Sequence, residues 1–486
     1  MLRRPHALLF GLGLAFVLLG GLIMSHFGLS ERSIIAVLTP AILMIPLAAG
    51  LRAANSSLLP FFADEHSATA AQNSYALGAI VIALGLLFYT TNGFAGPLSA
   101  LAAGGSIGLC LSAYVFAPAL RRCEGFSVLQ WLDMHFDNRL LRLILRLALL
   151  ATATLVVLAA IETAIRSVAS AFGLSQVMAV AATAIVAGVL TISGGVATIL
   201  AVLGSSWIIV IAAAALPFIL QGYEVPPELT TSASWSAFWR GQNWQYGVVA
   251  ALGVAALPMI QVPAIASASP REARRSVVQL LMSLIALSII IAMSLDAPAT
   301  SGQADVSTGL RLFGGFLGPI SALHPVSESL AVAASLLLPI GLTMVALHVL
   351  AANLTEGTPR NKPEFQPLSG TRLARMRLCV VVAVAVAGTI LVRYEFDAGL
   401  LLQWALGVAA VCLAPAMLIA SALSGRASFA LAGSYLAAFA ATGIYWILDR
   451  GFASPRWGIG LFCVAALAAT TVSVMLVWKS DRAAKG

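Results

Sequence analysis

The chain is expected to be an all-α polytopic membrane protein of about 14 spans. Ten central helices form an inverted five-plus-five repeat, with two extra helices at each end. Three observations predict this. The 486 residues are 60% hydrophobic and only 9% charged, with a mean hydropathy of +0.97, whereas a protein folded in water carries about a quarter charged residues. Apolar runs of about 20 residues recur from end to end, each able to cross a hydrocarbon layer of about 30 Å as a helix. Glycine or proline interrupts two of these runs, five spans apart, and a membrane helix tolerates such breaks where the freed backbone groups face protein or a watery cavity.

Helices satisfy their own backbone polar groups and are therefore the default spanning element. In chain order the spans are read at 7–25, 33–51, 71–91, 96–118, 141–170, 176–193, 196–220, 244–265, 276–295, 326–353, 376–393, 398–422, 427–447 and 457–478. The first follows Arg3 and Arg4, but its apolar region is long for a secretory signal. "GGLIMSHFG" has no small-x-small cleavage site either, so an uncleaved helix is expected. The third, "AQNSYALGAIVIALGLLFYT", contains Gly78 and Gly85 and is read as the first interrupted helix. Gly194 and Gly195 of "ISGGVAT" separate the sixth span from the seventh. The long segment that follows, "GYEVPPELTTSASWSAFWRGQNWQYG", carries Trp235, Trp239 and Trp244, which suit a helix lying in the interfacial aromatic belt.

The eighth span lies within "GVAALPMIQVPAIASASPREARRS", which holds Pro258 and Pro263 and then runs into Arg271, Arg274 and Arg275. Proline deletes a backbone donor and collides with the carbonyl four residues back. A soluble helix would stop there; here the apolar character continues through both, so the span is expected to be discontinuous. The largest loop on the basic side, "TEGTPRNKPEFQPLSG", is short and polar, and no soluble domain fits. Four units are expected: two peripheral helices in 1–55, repeats in 70–220 and 244–424, and two closing helices in 425–486.

Of 27 Lys and Arg residues, 19 fall in segments on one side of this plan and 6 on the other. By that asymmetry both termini are expected in the cytoplasm of a plasma (inner) membrane protein. The formal charge of +8 is thereby explained by topology, without a nucleic-acid partner. The five cysteines at 110, 123, 379, 412 and 463 are scattered singly and read as small packing residues rather than disulfides or metal ligands. Counting five spans from each interrupted helix gives an odd number per unit, which turns the second unit upside down relative to the first.

Several stretches resemble the sodium:solute symporter family, in particular its acetate (monocarboxylate) permease branch. "LPFFADEHSATAAQNSYALGA", with Gln72 and Asn73, is similar to the lead-in to the family's first broken helix. "APALRRCEGFSVLQWLDMHFDNRLLRLI" is similar to its basic cytoplasmic loop, "ISGGVAT" to its Gly-Gly turn, "ALPMIQVPAIASASPREARRSV" to its second broken helix and "IGLTMVALHVLAANL" to a later long helix. The resemblance runs in order over roughly residues 55–360. It implies a leucine-transporter-type fold and secondary transport of a small organic solute, a short monocarboxylate, by alternating access. The departures concern sodium. Apolar Ile80 and Ala83 stand where the family has an acidic residue followed by serines, Met259 where the permeases have a histidine, and Leu337 and Leu338 where a hydroxyl pair belongs. A hard cation prefers oxygen ligands, so the sodium requirement is expected to be weakened or absent: no cofactor is expected, and the coupled species is left as a sodium ion, a proton or nothing.

The resemblance and the residues together mark a solute site at Ser74, Tyr75, Gly78, Met259 and Gln261, and an ion site at Ala76, Ala79 and Thr343. Glu162 and Arg166 are four apart on one helical face, acid first, the favourable order for a pair. Functionally the pair would bind a carboxylate or relay a proton. Structurally, Arg166 would snorkel to the nearby interface while masking Glu162. His348, Asn353 and Gln403 read as interhelical hydrogen bonders. No nucleophile–base pair, phosphate loop or metal cluster is legible, so no enzyme is expected. The partners expected are a small-molecule solute and the lipid bilayer. The alternative is a transporter-like sensor or subunit that no longer transports and works beside a membrane partner subunit.

Overall fold

The structure, a computed structural model, describes residues 4–54, 58–89, 98–122, 127–136, 139–221, 243–295, 324–355, 370–394 and 396–422. The two spans expected in 427–447 and 457–478 lie outside the described residues, as do Trp235 and Trp239. Among the described residues the chain is helical, the exception being one isolated bridge between Ala68 and Ser267. Among these described residues, eight helices are long and apolar enough to cross a membrane, nine with the bent pair described below. The chain is a multi-pass membrane protein.

Two helices open the chain, α1 (Arg4–His26) and α2 (Glu31–Ala53). Ser30 caps α2 by accepting the Ser33 N–H. A short helix, α3 (Leu58–Ala63), leads into α4 (Ala70–Tyr89). Next come α5 (Leu98–Leu111) and α6 (Ala117–Arg122), joined through a π-turn at Ser112–Phe116, and the amphipathic α7 (Val128–His135). The long α8 (Arg139–Phe172) follows.

The helix α9 (Gln176–Gln221) runs for 46 residues. At about 1.5 Å per residue that is about twice the hydrocarbon thickness, so it makes two crossings. They meet at Gly195, whose φ of 56° and ψ of −132° are non-helical. This is the glycine turn expected from "ISGGVAT"; a side chain there would be strained and would also strike the backbone of Phe61.

The second half repeats the plan inverted. The pair α10 (Asn243–Ala256) and α11 (Pro258–Ala266) is followed by α12 (Pro270–Leu295), α13 (Pro325–Thr355) and α14 (Gly370–Arg393). Last come α15 (Ala398–Val408), a second π-turn at Ala409–Leu413, and α16 (Ala414–Ala422). Asp397 caps α15 by accepting the N–H groups of Gly399 and Leu400.

The core sits around α13, buried almost without interruption from Val326 to Asn353. It packs on α8 and α9 of the first repeat as well as on α2, α14 and α4. The hydrophobic effect does not drive one apolar helix onto another within lipid, so close van der Waals contact must do so. Hence the small residues at crossings: Gly104 and Gly108 of α5 lie directly on the backbone of Gly247 and Ala251 of α10.

One expectation is corrected here. The third span is not interrupted at Gly78 or Gly85: α4 is one continuous helix, and neither glycine has a positive φ. Gly78 is instead a packing point. A Cβ there would lie 2.6, 2.7 and 2.9 Å from Cδ2, Cε2 and Cε3 of Trp207 on α9. The irregular backbone lies before α4, between Ala63 and Ala70, where Asp64 and His66 have positive φ.

Candidate functional site

The break expected at Pro258 is present. Between α10 and α11 the chain bends by 40° at Leu257, which is extended at φ −64° and ψ 121°. Pro258 occupies the first turn of α11, where its missing N–H is not needed. Pro263 lies inside α11 and cannot donate to the Met259 carbonyl, which loses its usual i+4 partner. Met259 and Gln261 are fully buried, and all of α11 is enclosed. Gln261 mends part of the break. Its Nε2 donates to the Ala255 carbonyl at 2.7 Å, a group released by the bend, and to Ser112 Oγ at 3.0 Å. Ser112 belongs to the π-turn of the α5–α6 rod, and π-turns often mark functional positions. The Gln261 Oε1 has no hydrogen-bond partner among the described residues. The break thus presents a buried acceptor, a freed carbonyl and a hydroxyl in an apolar surround, which suits a small polar solute better than a bulky apolar one.

The two segments paired in the sequence do meet. Ala68 N–H donates to the Ala266 carbonyl at 3.1 Å, and Ala268 N–H to the Ala68 carbonyl at 3.1 Å. Around this bridge, Asn73 Nδ2 donates to Ser267 Oγ at 2.8 Å, and Arg121 Nε to the Ser267 carbonyl at 2.7 Å. Glu272 accepts the Ala70 N–H at 2.8 Å and so caps α4, a favourable place for a carboxylate. Sequence reasoning passed over Ser112, Ser267 and Arg121. Their types are ordinary, and only the backbone irregularities that they serve reveal them.

The remaining expected residues are spread out. Ser74 is buried on α4. Tyr75 is 39% exposed, with its Cβ near Gly204 of α9, and so does not face the break. Ala76 and Ala79 are buried, but they lie inside the unbroken α4, where their carbonyls belong to the helical ladder. Thr343 is buried and its hydroxyl donates to the Pro339 carbonyl at 2.8 Å. Glu162 and Arg166 do pair: Nε of Arg166 donates to Glu162 Oε1 at 2.7 Å, while Nη2 donates to the Phe396 carbonyl at 2.9 Å. The acid is buried and the base half exposed. The pair joins α8 to the turn before α15.

A second feature joins α3 to α14. Phe61 and Phe62 of α3 are fully buried and stack edge-on at 5.5 Å. Arg372 lies 5.1 Å over the ring of Phe62 and Arg377 5.6 Å over that of Phe61, cation–π contacts that hold α3 against α14. Between this plug and α11 lies a small cavity of ≈ 20 Å³, bounded by Phe62, Val196, Pro258, Val262, Ile265, His348 and Asn353. It has room for about one water molecule. On the neighbouring α7, burial pushes the Asp133 carboxyl up to about 6, against the opposing pull of Arg142 and Arg146.

No protein-family profile matches the chain, and no curated protein matches it in sequence. Its fold is that of solved transporters. It is similar to a Na+-coupled sialic acid symporter captured in a substrate-bound outward-open state, with a TM-score of 0.64 and 14% identity over 90% of this chain and 97% of that one. It is also similar to Mhp1, a nucleobase-cation-symport-1 family transporter in a closed conformation with bromovinylhydantoin bound, with a TM-score of 0.52 and 15% identity over 88% and 96%. At these identities the likeness establishes the inverted five-plus-five architecture.

Proposed function

We propose that the protein is a secondary transporter of a small organic solute, a short monocarboxylate, working by alternating access in the plasma membrane with both termini cytoplasmic. Over residues 55–360 its motifs resemble those of the acetate permeases of the sodium:solute symporter family, which supports this reading. The observation that carries this reading is the α10–α11 break, buried in the lipid-embedded core and hydrogen-bonded across to the start of α4. A discontinuous helix at the junction of two inverted repeats is the general device by which such folds hold solute at the midplane. At the break the Ser112 hydroxyl, which accepts from Gln261 Nε2, keeps its own proton to donate to a carboxylate, Gln261 Oε1 and the Met259 carbonyl accept a solute proton, and Ser74 of α4 is a further proposed contact. The repeats 70–220 and 244–424 rock about this point, and α3 seals the cytoplasmic end. Glu162 and Arg166 clamp α8 to the loop before α15.

The test is ligand-induced thermal stabilisation against a panel of organic acids and amino acids, in sodium and in potassium, followed by uptake into proteoliposomes. A stabilising monocarboxylate that is also taken up is expected. Absence of uptake for every short organic acid, under either gradient, sinks the proposal. The continuity of α4 favours one second reading, a transporter-derived sensor or subunit beside a membrane partner. A stable co-purifying membrane protein that loses activity when this chain is deleted would support it.

A further inference from the structure

The cavity beneath α11 contains two buried polar groups that the fold leaves without partners. His348 of α13 is 3% exposed, and its Nδ1 has no hydrogen-bond partner among the described residues. Asn353, one and a half turns further on, is 1% exposed, and its Nδ2 likewise has none, although its backbone carbonyl accepts Arg146 Nη2 at 3.3 Å. Both line the cavity, as do Pro258, Val262 and Ile265 of the broken helix. An ionisable side chain inside a span is costly and signals function by default. A water in this space is positioned to accept from the Asn353 amide and donate to the imidazole.

We propose that His348 is the proton-binding group of a proton-coupled cycle, and that the proton enters and leaves it through this cavity. The inference rests on the transport reading above and names its coupling ion. The step balances simply. A hydronium ion at the cytoplasmic or external face, depending on the state of the cycle, gives up a proton, one N–H bond forms at the ring nitrogen, and neutral water remains. The imidazolium charge is offset by the carboxylate of the bound solute, so that a neutral pair crosses the membrane.

The surroundings fit this coupling. From α14, Arg372 and Arg377 approach through the rings of Phe62 and Phe61, and the ring of Phe61 lies 5.9 Å from that of His348. From α8, Arg146 reaches the Asn353 carbonyl, and Asp133 of α7 faces Arg142 and Arg146 beyond it. The cavity walls from α9 and α11 are uncharged. These arginines are positive and oppose a cationic ring, and His66, whose Nδ1 hydrogen-bonds the carbonyl of the cavity-lining Ile265 at 2.8 Å, is a second titratable group on the α11 side. Protonation is favoured when the solute anion is present, or when α3 and its arginines withdraw. At the residues expected to hold sodium, α4 frees no carbonyl at Ala76 or Ala79, and the Thr343 hydroxyl, which donates to the Pro339 carbonyl, leaves only its own oxygen lone pairs for a cation.

The experiment uses the full chain in proteoliposomes with radiolabelled pyruvate as the probe. Exchange at equal pH on both sides tests transport itself; accumulation under an imposed acid-outside gradient, or under a sodium gradient alone, tests coupling. Wild type is expected to exchange, to accumulate about tenfold per pH unit at equilibrium for one proton per solute, and to ignore sodium. In H348Q the ratio of accumulation to exchange is expected to fall at least tenfold. Accumulation driven by sodium alone, or an H348Q ratio equal to wild type, overturns the assignment while leaving transport intact. Absence of exchange in wild type defeats the transport reading and this one with it. If H348Q fails to fold, H348N replaces it, and the wild-type gradient arms decide the coupling ion by themselves.

Discussion

Gly78 offers a sharp test of the packing argument, because glycine within a membrane helix is easily mistaken for a hinge. A methyl group added there would sit 2.6–2.9 Å from three ring atoms of Trp207, and that ring is fully buried and has no room to retreat. Overpacking of this kind costs about 1–3 kcal/mol, and three simultaneous contacts against an immobile indole place G78A at the upper end. Replacing glycine by alanine in a helix returns about 1 kcal/mol, so the net loss is about 2 kcal/mol. Gly85, two turns further along nearly the same face of α4, has nothing within 4 Å of a built Cβ, so G85A keeps only the gain. In detergent the melting temperature of G78A is expected to fall by about 2–4 °C, at about 1–2 °C per kcal/mol for a chain of this length. That of G85A is expected to rise by about 1–2 °C. W207L removes the obstacle at its own cavity cost of about 2–4 kcal/mol. In that background G78A should become neutral or stabilising, giving a coupling energy of about 2 kcal/mol. Equal responses of G78A and G85A, or an additive cycle, would refute the packing assignment and restore Gly78 as a hinge.

Further outcomes follow from the plug, the break and the acidic side chain on α7. Removing the cation–π contacts with R372A and R377A should loosen α3 by about 1–2 kcal/mol, raising thiol labelling of a cysteine placed at Val262 by up to about thirtyfold; an unchanged labelling rate would mean that α3 does not seal the cavity. Q261L deprives the Ala255 carbonyl and Ser112 of their donor, and is expected to abolish solute-induced thermal stabilisation, whereas retention of the full shift would move the solute site elsewhere. The folded-state pKa of Asp133 lies above its unfolded value because burial disfavours the charged form. The native state therefore holds more protons than the unfolded state between about pH 4 and 6, and stability should fall as pH rises through that window. D133N should flatten the slope there, and an identical pH profile in the variant would count against a buried, protonated Asp133. R166L breaks the clamp between Glu162 and the Phe396 carbonyl; it is expected to lower the melting temperature yet preserve the solute-induced shift, and loss of the shift would make Arg166 a ligand after all.

Composition and periodicity alone determined that this is a multi-pass helical membrane protein, and the spacing of its apolar runs anticipated the two inverted five-helix units. Lipid makes those signals strong, because every spanning segment must satisfy its own backbone and show apolar side chains over a set length. Pro258 was legible because a residue without an N–H suits the first turn of a new helical segment, although proline alone does not decide it: Pro40, Pro46 and Pro339 stand inside helices that continue through them. Gly194 and Gly195 were legible as a turn. Gly78 was not, since glycine serves equally as a hinge or as a close-packing surface, and only the Trp207 ring on another helix decided between them. The same ambiguity concealed the site. Nothing in the sequence says that the Gln261 amide reaches back to Ala255 and across to a π-turn at Ser112, that Ser267 bridges to Ala68, or that His348 and Asn353 share a cavity while lacking partners. Several of these facts depend on contacts between residues distant in the chain, 149 positions for Gln261 and Ser112, and a hydrogen-bonding side chain within an apolar run reads the same whether its partner is its own helix, a neighbouring helix or an empty space.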